Sequence, residues 1–270
     1  MTSGYVRING GNIYYEMAGQ GETLVLSHAG FVDSGMWDDQ WTELTRHYRV
    51  IRYDLRGFGK SDPAAGPVSR RDDLLQLLNH LAVERAYLLG CSLSGELILD
   101  FALEHQERVA ALIPVSATPS GFAMQGEPPP LLLEMFGAMQ QGDWECTSDL
   151  QIRLWVDGMF RQPGQVNAVV RQRAAAMNRI PVENQTFAIA DSQPVQPLNP
   201  PAVERLSEIN VPTLVIAGAL DHPEILRAAD VMAAEIRGAR KLVLPNCAHV
   251  PNMEKPQEFN RAVLEFLQGL

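Results

Sequence analysis

The sequence predicts a doubly wound α/β protein built on a mostly parallel sheet, with a helical segment inserted into it. Three observations carry that expectation. Short apolar runs recur along much of the chain and are continuous rather than alternating, as strands covered on both faces require. Amphipathic stretches separate them, and a repeated strand–helix alternation builds a parallel sheet. From about Pro119 to Leu206 the alternation stops, leaving several helical patterns punctuated by Pro and Gly and no convincing strand.

The elements follow in order. Residues 5–8 and 13–16 bracket the turn Asn9-Gly10-Gly11 and predict an antiparallel hairpin at a sheet edge. Buried strands are expected at 23–27 (TLVLS), 49–53 (RVIRY), 86–89 (AYLL), 109–115 (VAALIPV), 213–217 (TLVIA) and 241–244 (KLVL). Amphipathic helices are expected over 72–81, 96–105, 225–236 and 257–267. Residues 1–118 and 207–270 then form the α/β core, and 119–206 the insertion. The insertion holds Met124, Met135, Met139, Met159 and Met177 with Phe136, Phe160, Trp144 and Trp155. These residues suit the core of a small helical subdomain. They equally suit a lid lining an apolar pocket, and opposite faces of the same helices can serve both ends.

Composition narrows the function. The chain has 270 residues, is 46% hydrophobic and carries a formal net charge of −10 with no Lys/Arg-rich block. Nucleic acid and anionic membrane surfaces are therefore not expected partners, since both select for basic patches. Its three cysteines, Cys91, Cys146 and Cys247, show neither disulfide-framework nor zinc spacing, which suits a reducing compartment. Residues 1–20 lack the layout of a secretory signal, and no apolar run is long enough to span a bilayer. A cytoplasmic location is the resulting expectation.

The stretch Leu88-Leu89-Gly90-Cys91-Ser92-Leu93-Ser94-Gly95-Glu96 offers three candidate nucleophiles where an apolar strand meets a helix. A turn that tight strains the backbone at its tip and needs small residues two positions to either side. Centred on Ser92, the flanks are Gly90 and Ser94. Centred on Ser94, one flank is Glu96; centred on Cys91, both are leucines. Ser92 fits. Ser94 becomes a spacer, and Cys91 a buried neighbour facing the helix–sheet interface.

Gly90-Cys91-Ser92-Leu93-Ser94 resembles the nucleophile elbow of the α/β-hydrolase fold, G-x-S-x-G with Ser in the last position, and within that fold the capped esterase and lactonase-like branch. Further segments extend the resemblance over nearly the whole chain except the insertion. Leu24–Phe31 (LVLSHAGF) looks like the family's oxyanion segment, with Ala29 where glycine is usual. The resemblance implies oxyanion donors at the backbone N–H groups of Gly30 and Leu93, with Phe31 as the alternative to Gly30. His28 is then a structural anchor. Asp54-Leu55-Arg56-Gly57-Phe58-Gly59-Lys60-Ser61 is similar to the family's D-x-R-G-x-G-x-S loop, where the charges hold the loop. Two late strands deliver Asp221 and His249 at their carboxyl ends, and the order Ser92, Asp221, His249 is the order this fold uses.

Each partner has rivals among six histidines and many acids. His47, His80 and His105 lie away from strand ends. His222 abuts Asp221 and suits a pocket rim or the surface. Glu254 suits support of the last helix, and 115–118 (VSAT) offers no carboxylate after the strand that follows the elbow.

What the resemblance implies is a serine hydrolase needing no metal or organic cofactor, acting on a small-molecule carboxylic ester, lactone or thioester. Related enzymes use the same serine chemistry on carbon–carbon bonds and enol-lactones, and some proteins of this fold act as small-molecule receptors with slow turnover. A serine at the elbow sets aside the relatives that use aspartate there, haloalkane dehalogenases and epoxide hydrolases. The expected pocket residues are Phe31, Phe122, Met124, Phe136, Trp155, Met159 and Val250. Arg153, Arg161 and Arg171 suit a solvated surface better than a substrate carboxylate.

Overall fold

The computed structural model describes residues 1–192 and 195–270. Gln193 and Pro194, which fall within the expected insertion, lie outside the described residues. Eight strands form one sheet: β1 (Thr2–Ile8), β2 (Gly11–Ala18), β3 (Thr23–Ser27), β4 (Arg49–Tyr53), β5 (Ala86–Cys91), β6 (Val109–Val115), β7 (Leu214–Gly218) and β8 (Arg240–Leu244). Their spatial order is β1-β2-β4-β3-β5-β6-β7-β8. The β1–β2 hairpin and its pairing with β4 are antiparallel, and every other pairing is parallel. β3, β5 and β7 are buried throughout, which is why their sequences are unbroken apolar runs.

Two apolar layers sandwich the sheet. On one face α2 (Arg70–His80), α3 (Leu93–Glu104) and α7 (Pro223–Glu235) contribute Leu74, Leu78, Phe101 and Met232 to one core cluster. On the other, α1 (Asp38–Leu44) and α9 (Pro256–Leu267) contribute Leu44, Phe259, Val263 and Phe266. The short α8 (Pro251–Glu254) leads into α9. α1 carries no expectation from the sequence. It is a seven-residue helix of which only Gln40 and Leu44 are buried, so it has too little apolar stripe to announce itself.

Between β6 and β7 lie α4 (Pro130–Gln141), α5 (Trp144–Ile152) and α6 (Ala168–Glu183), with α5 running into a π-helical turn at Arg153–Asp157. Gly142 closes α4 in the left-handed conformation, and the Asp143 carboxylate caps α5. These helices own only a small core, Met135, Ala138, Leu150 and Leu154. Ile152, Val156, Val166, Val170 and Ala174 of the segment join the α9-side core, and polar contacts tie it further. Thr186 Oγ1 and Asn184 Nδ2 both donate to the Gly57 carbonyl, Arg70 pairs with Asp191, and Arg161 pairs with Glu254. Among the described residues, no helix is long and apolar enough to cross a membrane.

Candidate active site

The chain reverses its direction of travel across the sheet between β3 and β5, and in such sheets ligands gather at the carboxyl ends beside that point. The loops after β3, β5, β7 and β8 converge there.

Ser92 follows β5 with φ 55° and ψ −118°, an unfavourable conformation for a residue with a Cβ. The surroundings impose it. The Ser92 N–H donates to the Val115 carbonyl at 2.8 Å, and the Ser92 carbonyl accepts from Gly95 and Glu96 as α3 begins. A Cβ on Gly90 would sit 2.2 Å from the Ser94 carbonyl oxygen, and one on Gly95 would sit 2.3 Å from Ala117 Cβ. Ser94 is fully buried and its hydroxyl donates to the His28 carbonyl at 2.6 Å. Cys91 is fully buried on the opposite face of the sheet from α3, where burial pushes its thiol well up. Of the three candidates, only the Ser92 hydroxyl faces the cavity.

The loops after β7 and β8 prolong their strands' pairing. The N–H groups of Ala219 and Leu220 donate to the Leu244 and Cys247 carbonyls, and a Cβ on Gly218 would sit 2.0 Å from the Ala248 oxygen. That close approach delivers Asp221 to His249. His249 Nδ1 lies 3.0 and 2.9 Å from the two Asp221 carboxylate oxygens, and Nε2 lies 2.8 Å from Ser92 Oγ. A carboxylate facing Nδ1 keeps the proton on that nitrogen, so Nε2 is left to accept from the serine hydroxyl. Both side chains are nearly inaccessible, which strengthens their interaction. The Trp155 ring covers the imidazole, with centroids 4.9 Å apart.

The β3 loop closes the site. His28 is fully buried; its Nε2 accepts from the Leu55 N–H and its Nδ1 donates to the Ala29 carbonyl, so the ring is neutral. Burial pushes it down to about 4. Asp54 accepts from the Ser34 and Lys60 N–H groups and so fixes the next loop. The Ala29 N–H is directed to Met36 Sδ. Those of Gly30, Phe31 and Leu93 donate to no acceptor among the described residues. Gly30 packs so closely on Leu93 that an added Cβ would lie 3.0 Å from its side chain. The Phe31 carbonyl is held by Asn178 of α6 at 2.8 Å.

Ser92, His249 and Asp221 border a cavity of about 240 Å³. Its remaining wall includes Leu132, Leu154, Trp155 and Met159 from the helical segment, with Glu96, Ser116 and Thr118 from the sheet side. Of the expected pocket residues, Met124, Trp155 and Met159 line it. Phe31 is not in its lining; its ring lies 6.5 Å from those of both Trp155 and His249. Three further expectations need correction. Phe122 lies under the Arg227 guanidinium, 4.1 Å from its ring. Phe136 packs in the α4–α5 cluster against Phe187. Val250, though next to His249, is fully buried in the α9-side core. Aromatic or apolar character placed them in the interior, and the interior here has several compartments.

His222 lines the cavity, and its Nδ1 accepts from the Glu224 N–H. Glu254 does more than support the last helix: it accepts from the Ala248 N–H beside His249 and from Arg161. Arg171 pairs with Asp157, away from the cavity. Glu96, unforeseen as a site residue, had a signal in its spacing: it lies four residues beyond Ser92, one helical turn away on the same face. A larger open groove of about 970 Å³ between α5 and α6 contains none of Ser92, Asp221 and His249. Among the described residues, no three His, Cys, Asp or Glu side chains converge as metal ligands would.

Known proteins share this arrangement of elements. The chain is 30% identical to 2-hydroxy-6-oxo-6-phenylhexa-2,4-dienoate hydrolase of Comamonas testosteroni, over 95% of this chain and 91% of that one. It is also 30% identical to the pimeloyl-[acyl-carrier protein] methyl ester esterase of Nitrosospira multiformis, over 94% and 98%. The crystal structure of an enol-lactonase from Burkholderia xenovorans superposes with a TM-score of 0.78 at 26% identity, covering 98% of this chain and all of that one. The family model described as the alpha/beta hydrolase fold matches residues 22–256, and the chain belongs to that family.

Proposed function

We propose that this chain is a serine hydrolase that cleaves a carboxylic ester through an acyl-enzyme, with Ser92 as nucleophile, His249 as base and Asp221 as its orienting acid. The observation that carries this reading is the unbroken hydrogen-bond relay from Asp221 through His249 to Ser92 at the edge of a mostly apolar cavity. A serine hydroxyl is a weak nucleophile until a base within reach accepts its proton. His249 takes that proton as Oγ bonds to the carbonyl carbon, and the carbonyl oxygen becomes an oxyanion. The N–H groups of Leu93 and of Gly30, or alternatively Phe31, receive that charge, each contributing about 3 kcal/mol to the barrier's reduction. His249 then protonates the leaving alcohol, water repeats the sequence on the acyl-enzyme, and the imidazolium is stabilised throughout by Asp221.

In this reading residues 119–206 are a cap, and Leu132, Leu154, Trp155 and Met159 select the acyl or alcohol group. A cavity of about 240 Å³ suits small to medium substrates. The Comamonas testosteroni relative acts, by its name, on a dienoate, which carries a carboxylate. Among the described residues this cavity has no Lys or Arg in its lining, while Glu96 and Asp221 are there. That supports an ester over a carbon–carbon substrate ending in a carboxylate. The three unpaired cysteines support a reducing, cytoplasmic setting.

A second reading, a ligand receptor that docks a partner through its cap, is favoured by one observation. Among the described residues, seven of the eleven large exposed apolar side chains lie in 119–206, Leu133, Met159, Phe160 and Phe187 among them. One assay separates the two: hydrolysis of p-nitrophenyl esters from acetate to decanoate, wild type beside Ser92→Ala. Rapid turnover that falls by at least about 10⁴-fold in the variant is the expected result. Negligible turnover by the wild type on every ester would reject the esterase and favour the receptor.

A further inference from the structure

The relay leaves one ionisable side chain of the cavity without a task. Glu96 sits in the first turn of α3, one turn beyond Ser92; it lines the cavity together with Ser92, Leu93, Ser116 and Thr118, and also borders a smaller hollow of about 130 Å³ beside Arg71 and Asp100. It makes no hydrogen bond or ion pair with any described residue. The neighbouring charges are already committed. Arg71 of α2 is engaged by Asp100 and Glu104, and Arg70 by Asp191. Asp100, one turn further along α3, takes the Ser120 hydroxyl as well. Across the cavity, Asp221 is shared by His249 and the His222 N–H. In the wall of the same cavity the Ser116 hydroxyl is buried with no partner among the described residues, on a residue held at φ 47°. Glu96 is half-buried; a carboxyl partly withdrawn from water without a partner is disfavoured as the anion, and protonation or a cation offsets that cost. Burial, then the Asp100 charge, push Glu96 up to about 7, with Arg71 opposing.

We propose that Glu96 is a specificity-determining residue that receives an ammonium group of the substrate, with the Ser116 hydroxyl in the same cavity wall, and that it excludes substrates ending in a carboxylate at that position. This rests on the serine-hydrolase reading above. The geometry gives the ligand's shape: a cleavable carbonyl at Ser92, an apolar body under Trp155 and Leu154, and a cationic head one helical turn from the nucleophile. Only the ionised form of Glu96 attracts the head. Ammonium binding therefore strengthens as pH rises through about 7 and levels off above it. His222 and His249 face the same space, so the wild-type profile must be compared with one lacking the Glu96 charge.

The test is competitive inhibition of p-nitrophenyl butyrate hydrolysis by n-pentylammonium, n-pentanol and pentanoate, measured at pH 6 and pH 8 on wild type, Glu96→Gln and Glu96→Asp. The readout is the ratio of inhibition constants, in which any common loss of turnover cancels. The expected wild-type order at pH 8 is ammonium tightest and pentanoate weakest, with at least about a tenfold spread between ammonium and pentanol. Glu96→Gln should collapse that spread and its pH dependence, and Glu96→Asp should keep part of both. Equal spreads in wild type and Glu96→Gln, or pentanoate binding more tightly than the ammonium to wild type, would overturn the proposal. If wild type fails to hydrolyse the ester, the serine-hydrolase reading is what fails. Calorimetric titration of the same three compounds then reads the Glu96 preference separately, and no ammonium preference there would overturn the proposal as well.

Discussion

The floor and the roof of the cavity are built on different principles. The floor consists of strand ends: Ser92 and Ser116 with positive φ, Asp221 and His249 locked by loops that prolong β7 and β8, and glycines where a methyl group has no room. The roof consists of helices with a four-residue core of their own, attached to the sheet by polar ties and by Ile152, Val156, Val166, Val170 and Ala174, which join the α9-side core. Backbone sterics leave the floor one arrangement, whereas the roof is seated by side-chain contacts, apolar and polar, that substitution can change one at a time. The difference teaches where each property resides: reactivity in the strained, over-determined sheet ends, and selectivity in the helices seated over them by side chains.

Substitutions can break that division or sharpen it. Asp221→Asn should lower kcat by about 10³–10⁴-fold, because the amide no longer fixes the imidazole tautomer. Glu254→Gln, which weakens the histidine loop and its tie to Arg161 without touching the relay, should cost about tenfold. Equal losses in the two would mean the floor's acid is misassigned. His28 tests the floor's rigidity through pH. Its folded pKa of about 4 lies below the ordinary value, so the unfolded chain binds a proton first, and stability falls as pH drops from about 6.5 toward 4. Asp33 and Glu96, pushed up to about 6 and about 7 by burial, act in the opposite sense over that range. Comparing urea unfolding of wild type and His28→Gln at pH 7 and pH 4 isolates the histidine. The pH-dependent loss should be smaller in the variant by about 3 kcal/mol. Identical losses would show that His28 is protonated without penalty.

On the roof, Trp155→Ala should shift the preferred ester chain length upward and change kcat/KM by about 10–100-fold in a substrate-dependent way, since it enlarges the cavity. A uniform loss on all esters would place Trp155 with the floor, as the cover of His249. The smallest effect is expected from Ser94→Ala. It removes one buried hydrogen bond to the His28 carbonyl, costing about 1–2 kcal/mol in urea unfolding while most esterase turnover remains. Turnover lost there and kept in Ser92→Ala would reverse the assignment at the elbow.

The same division decides what could be read from the chain alone. Strands β3, β4 and β6 fall on their apolar runs, and the residues at strand ends follow from small flanks and chain order, because backbone sterics act locally. The segment between β6 and β7 was legible only as helical. Whether Phe136 meets a substrate or Phe187 depends on how helices pack, a non-local matter that single residues do not encode. Val250 shows the limit at one-residue range: it caps the start of α8 and is buried in the α9-side core, so adjacency to His249 does not bring it to the cavity. Glu96 enters the sequence reading only as a flank of the elbow, although its helical spacing from Ser92 already points to the cavity side.

Glu254 links the two halves. Its carboxylate takes the Ala248 N–H beside the histidine and two nitrogens of Arg161 from the segment above. The helices between β6 and β7 are therefore not a cassette that can be swapped freely among proteins of this fold. A transplanted segment without a guanidinium at the position of Arg161 would leave a buried anion uncompensated next to the histidine loop. A graft meant to alter selectivity alone would then also damage reactivity, unless residue 254 were replaced with it.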